Sequence, residues 1–243
     1  MNRIKKNILR TILILFLLTG VGLAVIFALT SSAKTQDSWK EFSALLMENE
    51  TVIDGVTDHN MTYLITSREG RQDYGDTLTI FEKHSDVGWR HIYDNDFSGL
   101  KPWKIELSDI DGEGEKEIIT AVRKTTRFDK TLKNRLFAFN LKNNKLVKKW
   151  TGSEVGGDWK DFIAADLIPI KGNELIFISK TKRGERISIY YWFNFGFIML
   201  AQSKDYEKIT NITINGENQI GITYKKDNKE HKVILRAKDG ILE

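Results

Sequence analysis

Residues 109–117 read Asp-Ile-Asp-Gly-Glu-Gly-Glu-Lys-Glu, a denser acidic cluster than any other in the chain. Asp109, Asp111, Glu113 and Glu117 stand at loop positions 1, 3, 5 and 9, with Gly112 and Gly114 at 4 and 6. Glycines there allow a tight bend with positive φ. Carboxylates turned inward around such a bend suit a hard cation, and calcium takes about six to eight oxygens. The same residue types also make an Asp-Gly turn whose side chains cap backbone N–H groups. Ile118-Ile119-Thr120-Ala121-Val122 follows at once, a β-branched run that reads as a strand.

A second kind of chemistry lies just beyond. Between Ala121 and Trp150 there are ten Lys or Arg residues and one acid, Asp129. Arg123, Lys124, Arg127, Lys142, Lys145, Lys148 and Lys149 are the candidate binding patch. Such a stretch either blocks strand-to-strand pairing at a sheet edge or offers a landing surface to an anionic partner. Wall polymer, lipid headgroups and an acidic protein all fit the second reading. Asp94-Asn95-Asp96-Phe97-Ser98-Gly99 is a further acidic turn, but Ile105 stands where an EF-hand loop needs its bidentate Glu.

Enzyme signatures are missing. There is neither a Gly-x-Ser-x-Gly elbow nor a His-Glu-x-x-His helix. His59, His84, His91 and His231 are scattered without metal-ligand spacing. A glycosidase-like carboxylate pair near Asp109 or Asp166 would have to assemble from distant loops. With no cysteine, a disulfide framework and a thiolate metal site are excluded. The chain therefore reads as a binding or interaction module rather than an enzyme, with a structural part of a membrane, secretion or conjugation complex as the alternative and a cell-envelope glycoside hydrolase behind it.

The loop belongs to a repeat. Trp103-Lys104 leads through an apolar run to Asp109, Gly112, and then Glu117 with its strand. Trp159-Lys160 leads likewise to Asp166, Gly172, and then Glu174-Leu175-Ile176-Phe177-Ile178. Trp103 and Trp159 read as matching places, suited to packing between units. Weaker copies run from Lys208 to Thr223 and from Val56 to Thr66. The strand after each loop starts near 63, 117, 174 and 219, a spacing of 45 to 57 residues. Each of the first three units adds a second strand pair, as at Arg135–Leu141 and Leu146–Trp150. Short strands at this period predict an all-β, four-unit, propeller-like repeat domain. Little chain remains after Tyr224. Either an amino-terminal strand completes the fourth unit or the propeller is incomplete and open.

The loop and its following strand resemble the FG-GAP or VCBS repeat of integrin-like β-propellers. That family's loop reads roughly Asp-x-Asp/Asn-Gly-Asp-Gly-x-x-Asp before an apolar strand and binds calcium. The resemblance implies a calcium site built from Asp109, Asp111, Glu113, the Glu115 carbonyl and Glu117. Here Glu replaces Asp at positions 5 and 9, and the match covers one unit of the four.

The amino terminus speaks to location. Thr11 to Thr30 is an uncharged, mostly apolar run of 20 residues, about 30 Å as a helix and enough to span a bilayer core. Arg3, Lys5, Lys6 and Arg10 precede it with no acid among them, which places that end in the cytoplasm. A cleaved signal peptide ending near Ser31-Ser32-Ala33 is the alternative. The expected organisation is a basic tail at 1–10, a transmembrane helix at 11–30, and a tether with a short helix at 31–48. An extracytoplasmic domain follows at 49–243. Trp39, Phe42, Leu45 and Leu46 are spaced for the helix, which would pack under the propeller or lie on the membrane. Outside the first ten residues the 33 Lys and Arg balance the 33 Asp and Glu. A neutral domain disfavours nucleic acid as partner. A cell-membrane location with a protein or anionic envelope polymer as partner is the expectation.

Overall fold

The computed structural model describes residues 36–68, 70, 73–152 and 154–243. The expected membrane span, the basic tail before it and most of the tether lie outside these residues. No helix among the described residues is long and apolar enough to cross a membrane.

Among the described residues the fold is all-β, with one short 3₁₀ helix at Gln36–Phe42. Unit 1 is β1 (Thr51–Asp58), β2 (Met61–Ser67), β3 (Thr77–His84) and β4 (Gly88–Asp96). Unit 2 is β5 (Pro102–Ser108), β6 (Glu117–Lys124), β7 (Lys133–Lys142) and β8 (Lys145–Thr151). Unit 3 is β9 (Trp159–Ala165), β10 (Glu174–Thr181), β11 (Gly184–Phe193) and β12 (Gly196–Ser203). Unit 4 is β13 (Lys208–Ile214), β14 (Gln219–Lys226), β15 (Lys229–Lys238) and β16 (Ile241–Leu242). Units 1 and 2 are separate four-stranded antiparallel meanders. Units 3 and 4 share one eight-stranded sheet, because β16 pairs antiparallel with β15 and parallel with β12. The fourth unit is thus completed by the chain's own last residues.

The apolar runs explain the layering. Along β10, Leu175 and Phe177 point to one face while Ile176 and Ile178 point to the other, and all four are buried. A strand with two apolar faces must be covered on both sides. Tyr63, Ile65, Leu78 and Ile80 of unit 1 meet Ile118, Val122 and Phe139 of unit 2. Ile119, Ala121, Leu136 and Ala138 of unit 2 meet Trp159, Phe162, Leu175 and Phe177 of unit 3. Ile176, Ile178, Ile187 and Ile189 of unit 3 meet Ile209, Ile212, Ile220, Ile222 and Leu235 of unit 4. Among the described residues no buried cluster joins unit 4 to unit 1.

The remaining face of unit 1 is covered by the 3₁₀ helix. Trp39 and Phe42 are buried against Leu64 and Phe81. The Phe42 ring lies 5.2 Å from Phe81 and 5.0 Å from Trp89. The helical spacing carries less far than expected. The helix stops at Phe42, and Leu45 is exposed beyond it.

Register corrects the alignment of the repeats. Ser108 pairs with Glu117 and Ala165 with Glu174, so Trp103 stands opposite Lys160 in the repeat and not opposite Trp159. The two indoles instead touch each other between units 2 and 3, with centroids 5.9 Å apart. The lysines beside them bridge junctions. Lys104 Nζ donates to the Phe162 carbonyl of the next unit at 2.6 Å and to Asp161 Oδ1 at 2.8 Å. Lys160 Nζ donates to the Ile209 carbonyl of unit 4 at 2.6 Å. Between units 1 and 2 an acid does this work, with Asp54 Oδ2 accepting from the Ile105 amide at 2.8 Å.

Candidate functional site

The loop between β5 and β6 places one carboxylate oxygen from each of Asp109, Asp111 and Glu117 within 4.8 Å of the others, and this triad could hold a metal ion. Each acid also satisfies a loop amide. Asp109 Oδ2 accepts from Gly114 N at 2.9 Å, Asp111 Oδ1 from Glu113 N at 3.1 Å, and Glu117 Oε2 from Ile110 N at 3.0 Å. Turn-capping and cation-ready geometry therefore coexist in one loop.

A cation of the chain's own is already present. Lys149 Nζ donates to Asp111 Oδ2 and, at 2.6 Å, to Glu117 Oε1. Glu117 is buried, and Asn140 Nδ2 also donates to it at 3.0 Å. Asp109 Oδ1 is buried without a hydrogen-bond partner. Burial alone would raise the Asp111 carboxyl. The hydrogen bonds from Lys149 and the Glu113 amide, with the Lys149 charge, outweigh it and hold the group below its ordinary range. Burial likewise opposes the Lys149 ammonium, but its bonds to Asp111 and Glu117 hold it above its ordinary value.

Lys149 reaches the triad because it is a bulge residue. In β8 the register steps from Trp150 to Lys148 and skips Lys149. The outer strands of units 1 and 3 skip Ile92 and Leu200 in the same way. A bulge re-aims a side chain, and those two pack into the apolar clusters. Unit 2 alone of these three has an ammonium there. This is the residue that sequence reasoning misplaced, since Lys149 was assigned to the surface patch. Aligning the outer strands would have shown it, but the bulge is invisible without the register.

Unit 3 shows the same loop without the lysine. Glu174 Oε2 accepts from Leu167 N at 2.9 Å and Ile168 N at 3.2 Å, matching Glu117 and Ile110. Glu174 is fully buried, and its Oε1 has no partner. Burial raises its carboxyl above the ordinary range. The two loops interlock. Asn173 N donates to Asp109 O at 2.8 Å, and a Cβ on Gly112 would lie 2.7 Å from Gly172 N.

Of the other expected ligands, the Glu113 carboxylate lies apart from the triad. Glu113 pairs with Lys171 at the exposed side of the loop, and Glu115 is exposed. The basic patch is divided. Arg123, Lys124 and Arg127 lie by the end of β6, whereas Lys142 and Lys145 flank the opposite turn at Asn143-Asn144. The 10-residue strand β7 separates the two groups, about 30 Å along the sheet. Lys148 is exposed on β8. Arg135, from the same basic stretch, is buried and staples the loop beside it through Lys124 O, Asp129 and Thr131 O.

An open groove of about 930 Å³ lies where units 3 and 4 meet, lined by Arg183, Arg186, Lys204, Tyr206, Glu207 and Tyr224 among others. Arg186 is taken by Asp205 at 2.8 Å and by Gln202. Glu207 accepts from the Asp227 amide. The mixed charges select no sign of ligand.

The fold and loop thus define an all-β stack of meander units with one acidic, lysine-bridged loop. No protein-family profile matches the chain, and no curated protein matches it. Among solved structures it is similar to a Bacteroides uniformis protein provisionally described as a 6-phosphogluconolactonase. The TM-score is 0.48 at 15% identity, over 80% of this chain. The chain spans about half the length of that protein, 53%.

Proposed function

We propose that this chain is a membrane-anchored binding module of the FG-GAP/VCBS kind, with its repeat domain outside the cytoplasm. Its partner is a protein or an anionic envelope polymer. The acidic loop is a fastening between units 2 and 3 that accepts calcium in exchange for Lys149. The observation that carries this reading is the state of the triad's carboxylates. They are engaged by loop amides and an ammonium, as in a structural clamp, rather than held open toward a substrate. Calcium entering there would draw on Asp109, Asp111 and Glu117, with carbonyl and water oxygens completing its shell. The basic run before an apolar 20-residue segment supports the anchor and its orientation.

The test uses the full chain in intact cells. Protease added outside should remove the repeat domain and leave a membrane-held amino-terminal fragment. Captured from solubilised membranes with and without calcium, the chain should bring down a partner in a calcium-dependent manner. Protection of the domain would reject the orientation. A calcium-independent, stoichiometric set of membrane proteins would mark it instead as a structural part of a larger complex.

A further inference from the structure

The hairpin formed by β11 and β12, whose outer side β16 covers only at Gln202 and Ser203, breaks the chain's own habit of charging its open strand edges. From Ile187 to Ser203 there is no Asp, Glu, Lys, Arg or His. The outer strand of unit 1 carries Arg90, His91, Asp94 and Asp96, and that of unit 2 carries Lys145, Lys148 and Lys149. Edge strands are normally guarded by such charges. On β12 and its turn, Phe195 is 91% exposed, Phe193 51%, Met199 48% and Ile198 45%. Phe195 sits at the tip of a two-residue turn between Phe193 and Gly196, and the described residues leave it uncovered. An uncharged apolar group of this kind marks a contact surface.

The base of the patch is rigid and lies against β8. Phe197 meets Trp150 at 5.0 Å and Trp192 at 5.1 Å. Gly196 approaches the Trp150 indole nitrogen, and Lys149 lies over the Trp192 ring. Along that same edge stand Val147, exposed, and the exposed Lys145 and Lys148. Protruding rings beside ammonium groups on flexible stems are the chemistry of an interfacial anchor. The stems let the charge stay at headgroup level while the rings enter the acyl boundary.

We infer that the β11–β12 turn, with Phe193 and Phe195 inserted and Lys145 and Lys148 on phosphate headgroups, docks the domain onto an anionic bilayer surface. A second copy fits less well. A two-fold contact sets a patch against itself, and Lys145 and Lys148 would then face their own images. The apolar run ending at Thr30 lies only a few residues before the first described residue, Gln36, so the chain between them can span at most about 20 Å. The inference rests on the anchored reading above and adds which side of the domain lies down.

The chain has no cysteine, so Phe195→Cys and Phe128→Cys each give one labelling site. Phe128 is 89% exposed in the loop after β6, toward the opposite end of the meanders. Each full-length variant, carrying an environment-sensitive fluorophore, is reconstituted into phosphatidylcholine vesicles with or without phosphatidylglycerol. Emission at 195 should shift to the blue and rise at least about twofold with the anionic lipid, and brominated acyl chains should quench it. Emission at 128 should stay that of a water-exposed probe. Lys145→Glu with Lys148→Glu, or high salt, should reverse most of the change at 195. A chain that floats with vesicles while its 195 probe stays as wet as 128 overturns the docking inference and spares the anchor. A 195 signal that follows protein concentration rather than lipid charge overturns it in favour of a second copy. A chain that does not float rejects the anchor. Docking is then judged on the same labelled chain mixed with added vesicles, where no shift overturns it.

Discussion

Lys149 sets the behaviour of the acidic loop, because a divalent ion and its ammonium compete for the same oxygens. Wild-type protein should therefore need more calcium than a loop without Lys149 to gain the same thermal stability. Lys149→Met removes the competitor and leaves Glu117 buried without a counter-charge. That should destabilise the calcium-free protein by on the order of 3 kcal/mol. Calcium should then restore much of the loss, as a melting temperature that rises with calcium concentration. A Lys149→Met protein whose melting ignores calcium would show a turn and nothing more. Most of this site is legible in the sequence: the acid spacing, the glycines and the strand that follows. The ammonium is not, because nothing local marks a bulge. Glu113 departs from the expected set for a related reason, since its carboxylate pairs with Lys171. The interlocking loop from unit 3, with Lys171 and Gly172, turns that side of the ring outward, and only tertiary contact reveals it.

At the scale of the element, the two Gly-bearing loops answer to each other. Gly114 and Gly172 both have positive φ, at 90° and 82°. A Cβ on Gly114 would meet nothing within 4 Å, whereas one on Gly172 would run into the Ile110 carbonyl and approach Gly112 N at 3.0 Å. Gly114→Ala should then lose only the backbone term, about 1 kcal/mol. Gly172→Ala should lose clearly more, about 3 kcal/mol, since backbone rather than a side chain must yield. Urea titration of the pair separates conformational strain from close approach, and equal losses would deny the interlock. Strands β2, β3, β6, β7, β10 and β11 are readable as β-branched and aromatic runs, as are the turns at Asn143-Asn144 and Asn194. The matching of Trp103 with Trp159 fails by one residue. Both inner strands bulge at the same place, Trp103 in β5 and Lys160 in β9, and Trp159 stands one residue before it, so similarity of letters does not guarantee similarity of place. The helix at Gln36–Phe42 is shorter than its apolar spacing suggests, although Leu46 beyond it still packs against the same cluster as Trp39 and Phe42.

At the scale of the whole molecule, the fourth unit is the least evident from sequence. A two-residue strand carries no periodicity, yet β16 joins two units into one sheet. Leu242 is buried in the cluster between them, and the Glu243 and Arg236 backbones exchange hydrogen bonds. Removing residues 239–243 should cost about 2–4 kcal/mol, from one buried leucine and the lost pairing. It should also raise hydrogen exchange in β12 and β15 before β2 or β6. Uniform loss of protection would instead mean that the stack melts as one body. The unit-by-unit layering has a further effect on the order of assembly. As the chain is made from its amino end, units 1 to 3 can bury their shared faces one after another. The seam between units 3 and 4 must wait until β16 has been made. Until then the uncharged edge of β12 lacks its parallel neighbour as well as its charges, and another chain's strand could take that place. Strand β16 thus acts as a timed stopper, closing that part of the edge only once Ile241 and Leu242 have been made.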